Sequence, residues 1–338
     1  MTSHERPAIR RSSSLLERLP GEGPPLRPSP AVVLPAVPRV LRAGDLPPDV
    51  LRTRVRDGSL MRVLRGVYAE VSPDGLPWDL ARSRVLARAA ALHAVRTGDH
   101  WFSHRTAALL HGCQLVAVPD DVDVTALSAP RASRTGGVRG VREHWTSRAT
   151  RAAEVDRTAS LPVSPIERTA VDCAATLDRA HGLVVADSAL RAGADPAVID
   201  QMLAAAAGDR GIRRAREVLA FADARSESPG ESLLRWHVRA AGLPAPDLQV
   251  AVPTRLGWRW VDLGWREERA ALEFDGRLKY GGSAQESSAA VDQEKRRQDA
   301  LEDAGWIVVR FTWADLRHPE EVGPRVGRAL RSAHSRRR

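Results

Sequence analysis

The run ALEFDGRLKYGG, residues 271–282, sets the tightest limit on how this chain folds. It opens as Ala-Leu-x-Phe, the apolar pattern of a buried strand. Yet Glu273, Asp275, Arg277 and Lys279 follow on alternating positions, ahead of a double glycine. Side chains two apart on a strand share a face. A strand that buries itself while pointing acids and then bases from one face needs a chemical reason. Lysine sharpens the point: Lys279 and Lys295 are the two lysines of the chain, and every other basic residue is arginine. Lysine differs from arginine as a compact point charge that loses its proton when buried.

The surrounding text supplies the rest of a sheet. ESLLRWHVRAAGL reads as an amphipathic helix ending at Gly242. DLQVAV, WRWVDLGW and RAALEFDG read as three consecutive strands. A long charged helix over 285–304 stops at Gly305, WIVVRFTWADL is a strand followed by a turn, and PEEVGPRVGRALRSAH is a last helix before the basic tail SRRR. The order predicted for 216–338 is therefore α-β-β-β-α-β-α.

Length sets the number of such blocks: 338 residues suggest two or three domains. Residues 1–35, rich in Pro, Gly, Ser and Arg without lasting periodicity, are expected to be a disordered basic arm. In 36–80, Leu46-Pro47-Pro48 breaks the chain and starts a helix at Asp49, with Val50, Leu51 and Val55 as its apolar side and Gly58 as its stop. LMRVLRGVYAEV then alternates around an Arg65-Gly66 turn. Helix, helix and basic hairpin make a winged-helix arrangement. Its arginines, Arg52, Arg54, Arg56, Arg62 and Arg65, are the candidate DNA contacts. Residues 81–215 mix helical stretches with short strands such as DVDVTAL and VREHW. There Ser164-Pro165 with Glu167 reads as a capped helix start. The fold class expected is multi-domain α/β (α+β).

Charge and cysteine usage bound the function. The net charge is +9 and the pI near 10.8, which favours polyanionic partners, nucleic acid first; a general arginine bias is the competing explanation. Cys113 and Cys173 lack CxxC spacing, so neither a disulfide framework nor a zinc site is indicated. No segment approaches 18 consecutive apolar residues, and the N-terminus lacks an apolar signal core, so a cytoplasmic protein is expected. His104 and His111 fall on one helical face without a third ligand, which favours packing or capping. The tryptophans at 236, 258, 260, 265, 306 and 313 are expected in core and hairpin packing.

Glu231 in the helix, Asp262 in the second strand and Glu273 and Asp275 in the third form the candidate chemistry. A hairpin of 258–266 with 269–276 brings Asp262 beside Glu273, and Glu231 reaches them from the packed helix. Clustered carboxylates raise one another's pKa unless a cation binds. Oxygen donors at this density suit Mg²⁺ or Mn²⁺, with Lys279 positioning water or offsetting phosphate charge. That set points to phosphodiester hydrolysis. The competing reading is a solvated edge-strand face whose acids pair with Arg277 and Lys279.

PGESLLR at 229–235, WVDLGW at 260–265, LEFDGRLKY at 272–280 and DQEKRRQDALEDAGWIVVRFTWADL at 292–316 resemble the domains related to very-short-patch-repair endonucleases, within the PD-(D/E)xK nuclease superfamily. The resemblance implies a restriction-endonuclease-like αβββαβ core with Glu231, Asp262 and Glu273 in the metal-binding positions. The superfamily's Glu-x-Lys is here Glu273-Phe274-Asp275; Lys279 either stands in for that lysine or is a phosphate contact. Arg277 and, on the next helix, Asp292, Arg296 and Arg297 serve as supports of the acid face, phosphate contacts or solvated surface. Residues 44–71 look like the winged helix of AbiEi-type antitoxins, and 101–112 and 161–177 resemble the segments that follow it. That likeness implies operator binding, autorepression and a cognate toxin partner, with a homodimer possible. Two functions stand: a metal-dependent DNA endonuclease, or a non-catalytic antitoxin or repressor that keeps a nuclease-like fold.

Overall fold

The structure, a computed structural model, describes Arg27 and residues 30–72, 74–127, 139–146, 155–276 and 288–336. It is a mixed α/β protein with three sheets and, among the described residues, eleven α-helices. Two compact units divide the chain at Ala215 and Arg216.

The unit of residues 31–215 begins with strand β1 (Val40–Arg42), a 3-10 turn (Ala43–Asp45), helix α1 (Pro48–Arg56) and the hairpin β2 (Leu60–Leu64) and β3 (Val67–Glu70). The strands form an antiparallel sheet in the order β1-β3-β2. Gly66 takes the left-handed φ of +74° that the two-residue turn demands. The helix before the hairpin matches the sequence reading. The element preceding it does not: a strand and a 3-10 turn stand where a first helix is expected. The apolar side expected of α1 is also partly outside: Val50 is 37% and Val55 41% exposed, and no residue of α1 is buried.

Helix α2 (Pro77–Val95) packs on all three strands of this sheet. It also packs on α3 (His104–Leu110) and β5 (Val122–Ala126), so 31–215 forms one unit across the boundary expected near residue 80. With β4 (Trp101–Phe102), β6 (Val141–Trp145), β7 (Asp156–Thr158) and β8 (Leu161–Val163), β5 builds a five-stranded mixed sheet in the order β6-β5-β4-β8-β7. Helices α4 (Ile166–Thr176), α5 (Arg179–Arg191) and α6 (Pro196–Ala205) follow. The capping box expected at Ser164 does not form. Pro165 takes the N-cap position and supplies no side-chain bond. The carboxylate of Glu167 instead accepts from the Asp195 amide at 3.1 Å. A proline one residue past the serine moves the helix start beyond its reach.

Helix α7 (Ile212–Leu219) contains the division between the units. The second unit then runs α8 (Pro229–Ala240), β9 (Asp247–Thr254), β10 (Gly257–Trp265), β11 (Ala270–Asp275), α9 (Ser288–Asp303), β12 (Ile307–Thr312), α10 (Trp313–Leu316) and α11 (Pro319–Arg336). This is the predicted α-β-β-β-α-β-α order with one addition: the turn expected after β12 is the four-residue helix α10. The sheet order is β12-β11-β10-β9, with β11 and β12 parallel and the other pairs antiparallel. A parallel pair needs a crossover, and α9 supplies it. Val250, Val252, Val261, Ala271, Leu301 and Trp306 form its core. Trp265 and Trp306 are buried as expected, whereas Trp236, Trp258, Trp260 and Trp313 are only half-buried.

Candidate active site

The β10–β11 hairpin places the acids. Its ladder pairs Trp265 with Ala270, Gly264 with Ala271 and Leu263 with Leu272. Continued one step, that register sets Asp262 against Glu273. The backbone ladder stops there, and Asp262 accepts the Phe274 amide through its own Oδ2 at 2.8 Å. The side chain thus takes over a strand hydrogen bond and is fixed at the sheet's end.

Asp262, Glu273 and Asp275 line one cavity of about 410 Å³, together with Glu294, Arg297 and Arg310. Glu273 is 6% exposed. Arg297 Nη2 lies 2.7 Å from its Oε1 and Arg310 Nε 3.5 Å from its Oε2. The same Nη2, which has two N–H groups, also donates to the Trp260 carbonyl at 2.7 Å. Oε1 of Glu273 is buried and held by an ion pair with Arg297, without an aligned hydrogen bond among the described residues. Glu294 pairs with Arg310 and, at 3.4 Å, with Arg297. Burial, opposed by the Glu273 and Glu294 charges, leaves the Arg297 pKa raised.

Glu231 approaches from α8. Ser228 caps that helix, accepting from the Glu231 amide at 3.2 Å. The Oε2 of Glu231 accepts from the Glu227 amide at 2.9 Å and from Gln249 Nε2 at 3.1 Å. Gln249 sits in β9 with a left-handed φ of +50°. Its Oε1 accepts from Arg27, whose Nη2 lies 3.0 Å from Glu227. Glu231 is buried but is not part of the cavity wall. Burial pushes its carboxyl up to about 8, and the Asp262 charge adds to the rise. Burial pushes Asp262 up to about 6, with Glu273 adding, against the downward pull of the Phe274 amide, Arg297 and Arg27.

The structure thus draws Asp262, Glu273 and Asp275 to one cavity and sets Glu231 beside Asp262. Arg297 supports the acid face, whereas Arg296 is exposed on α9, as is Asp292. Arg277 and Lys279 lie outside the described residues. No group of three His, Cys, Asp or Glu among the described residues is arranged to hold a metal ion. The all-oxygen donors of Asp262 and Glu273, with one buried oxygen lacking an aligned donor, fit a hard divalent cation. Arg297 and Arg310 now supply the positive charge there.

Sequence reasoning missed Glu294, Arg310, Gln249 and Arg27. Two left a trace: Arg310 interrupts an apolar strand, and Glu294 precedes Arg297 by three on one helix. Gln249 and Arg27 left none, because their contacts span distant sequence.

In the first unit, Arg52, Arg56, Arg62 and Arg65 are exposed. Arg54 is committed to Glu70 at 3.2 Å and to Ser59 at 3.3 Å. His111 donates from Nε2 to the Ser164 carbonyl, 2.7 Å away, and burial lowers its pKa. His104 stacks on His144. Both cysteines are buried and free.

Together these features define a two-unit α/β protein with an arginine-rich helix and hairpin and an acidic cavity at the end of its last sheet. The chain is 32% identical over 284 residues to the uncharacterized protein Rv2248 of Mycobacterium tuberculosis strain H37Rv, spanning 83% of this chain and 96% of the relative. The uncharacterized protein MT2308 of strain CDC 1551 gives the same identity and the same coverage. The chain belongs to the family of these mycobacterial proteins. No family model matches it. Among solved structures, the RV2827C protein of Mycobacterium tuberculosis aligns over 63% of this chain and 83% of its own length, at 16% identity and a TM-score of 0.35.

Proposed function

We propose that this protein is a Mg²⁺- or Mn²⁺-dependent nuclease that hydrolyses DNA phosphodiester bonds and is brought to DNA by α1 and the β2–β3 turn. The observation that carries the reading is the convergence of buried acids. Burial raises both Glu231 and Asp262, the Asp262 charge adds to the rise at Glu231 and the Glu273 charge to that at Asp262, and Glu273, on the same cavity as Asp262, keeps a buried oxygen without an aligned donor. Buried carboxylates set close together are costly unless a cation joins them. The resemblance of 229–316 to very-short-patch-repair-type domains agrees with this assignment.

In this reading Asp262 and Glu273 hold the ion, and Glu231 braces Asp262. Asp275 takes the proton of the attacking water, and Lys279 offsets phosphate charge. A bound divalent ion supplies a lowered water pKa and stabilises charge on the phosphate. Arg297 and Arg310, on the same cavity, would pair with the phosphate when a divalent ion neutralises Glu273. Arg52, Arg56, Arg62 and Arg65 contact the DNA backbone.

One observation favours a second reading, a non-catalytic antitoxin or repressor with a cognate toxin and a nuclease-like fold. Glu273 is already paired with two arginines, as in a structural ion-pair network.

Plasmid and linear DNA incubated with the protein and Mg²⁺, Mn²⁺ or EDTA separates the two. Metal-dependent cutting is expected, falling at least about 100-fold in Asp262→Asn and Glu273→Gln. Tight DNA binding without cutting under either metal, unchanged in both variants, would establish the second reading instead.

A further inference from the structure

A second cavity lies in the other unit. It measures about 650 Å³, lies wholly within residues 31–215, and takes its walls from β5, β6, α3, α4 and the segment before α7. That volume suits a ligand of nucleotide size.

Its floor is an ordered polar network. Asp123 on β5 is buried and holds Arg105 Nε at 3.0 Å and His144 Nε2 at 3.0 Å. His144, on β6, is thereby fixed in orientation, and His104 stacks on it with ring centroids 3.7 Å apart and an interplanar angle of 15°. His104 is the first residue of α3 and has a left-handed φ of +49°. Such a backbone costs on the order of 1 kcal/mol or more for a non-glycine residue and gathers at functional sites. Ser103 completes the network, 2.9 Å from His104 Nδ1 and accepting from Thr125 at 2.7 Å.

The charges of the wall decide what fits. Its acids are already engaged: Glu143 pairs with Arg96 at 2.8 Å, and Asp172 and Asp209 each have interactions of their own. Arg210, also in the wall, is exposed and has no ion-pair partner among the described residues. Arg210 is thus a cation of the wall without an ion-pair partner among the described residues, on the same cavity as two imidazoles, His144 held by the buried Asp123 carboxylate and His104 stacked on it. Trp145 adds an aromatic face; it is 60% exposed although it lies at the end of β6. An exposed tryptophan beside an unpaired arginine offers a base a stacking platform and a phosphate a charged donor.

We propose that this cavity binds a nucleoside monophosphate unit, with the phosphate at Arg210 and the His104–His144 pair and the base on Trp145. The site is independent of the acidic cavity near Asp262, so it stands or falls separately from nuclease activity.

Calorimetric titration of the whole protein in EDTA with adenosine 5′-monophosphate, adenosine and inorganic phosphate tests it. The monophosphate is expected to bind at least about tenfold more tightly than either part alone. Arg210→Ala and Trp145→Ala, both at exposed positions, are each expected to weaken it by about tenfold or more while circular dichroism stays unchanged. A 5′-phosphorylated trinucleotide that competes equally assigns the site to a polynucleotide end, and one that does not assigns it to free nucleotides. No saturable binding of the monophosphate up to about 1 mM, equal binding of adenosine, or wild-type affinity in either variant overturns the proposal.

Discussion

Arg52, Arg54 and Arg56 share one nine-residue helix but have different surroundings. Arg52 and Arg56 are four apart and exposed, so they lie on one face of α1. Arg54 turns the other way and ties α1 to Glu70 on β3. Replacing Arg54 by Ala is expected to lower stability by about 0.5–1 kcal/mol, read in a thermal melt. Arg52→Ala and Arg56→Ala are expected to leave the melt alone. Each should weaken DNA binding and reduce the slope of log affinity against log salt by about 1. Glu231 behaves differently because it is buried beside another acid. Unfolded, its carboxyl titrates near the usual ~4.3; folded, it is raised to about 8. Between those values the folded state keeps a proton that the unfolded chain has released, so stability falls as pH rises from about 4 to 8. With divalent ions chelated, denaturant unfolding across that range should show the decline, and Glu231→Gln should flatten it.

At the scale of elements, the start of α8 has the tightest constraint. A Cβ at Gly230 would come within 2.1 Å of the Phe274 ring. That ring also meets Trp313 edge-on at 5.0 Å. Glycine therefore lets α8 approach β11 closely enough to bring Glu231 toward Asp262. Gly230→Ala is expected to cost about 1–3 kcal/mol by overpacking, and Phe274→Leu in the same chain should recover part of it, as urea unfolding would show. Helix α1 carries the opposite lesson. Its apolar residues Val50 and Val55 stay largely outside, because helical spacing states which residues share a face but not whether a partner covers it. The start of α4 shows how one proline overrides a capping pattern: with Pro165 at the N-cap, Ser164 lies a residue too early.

Over the whole molecule, two units carry separate cavities with different linings. The acidic one faces the end of the second unit's sheet, and the histidine-lined one belongs to the first. No helix among the described residues is long and apolar enough to cross a membrane. The single unit over 31–215 arises because α2 has apolar residues on opposite sides: Val85, Leu86, Ala89 and Leu92 are buried on one, and Ala87 and Ala91 on the other. A helix of that kind joins two sheets instead of covering one.

Amino-acid order by itself determined the elements of the second unit. Strand alternation, Gly305 with its φ of +81° and the length of α9 are local properties, and local properties are written in consecutive residues. It also marked Asp262, Glu273 and Asp275, since acids in apolar strands cost free energy that must be offset. Tertiary structure alone decided what surrounds those acids. Arg310 reaches Glu273 from a parallel strand, Gln249 and Arg27 reach toward Glu231 from far along the chain, and Asp123 meets His144 from the neighbouring strand. Such contacts depend on register and crossover, which no short stretch encodes, so charge partners and cavities become legible only once the strands are paired.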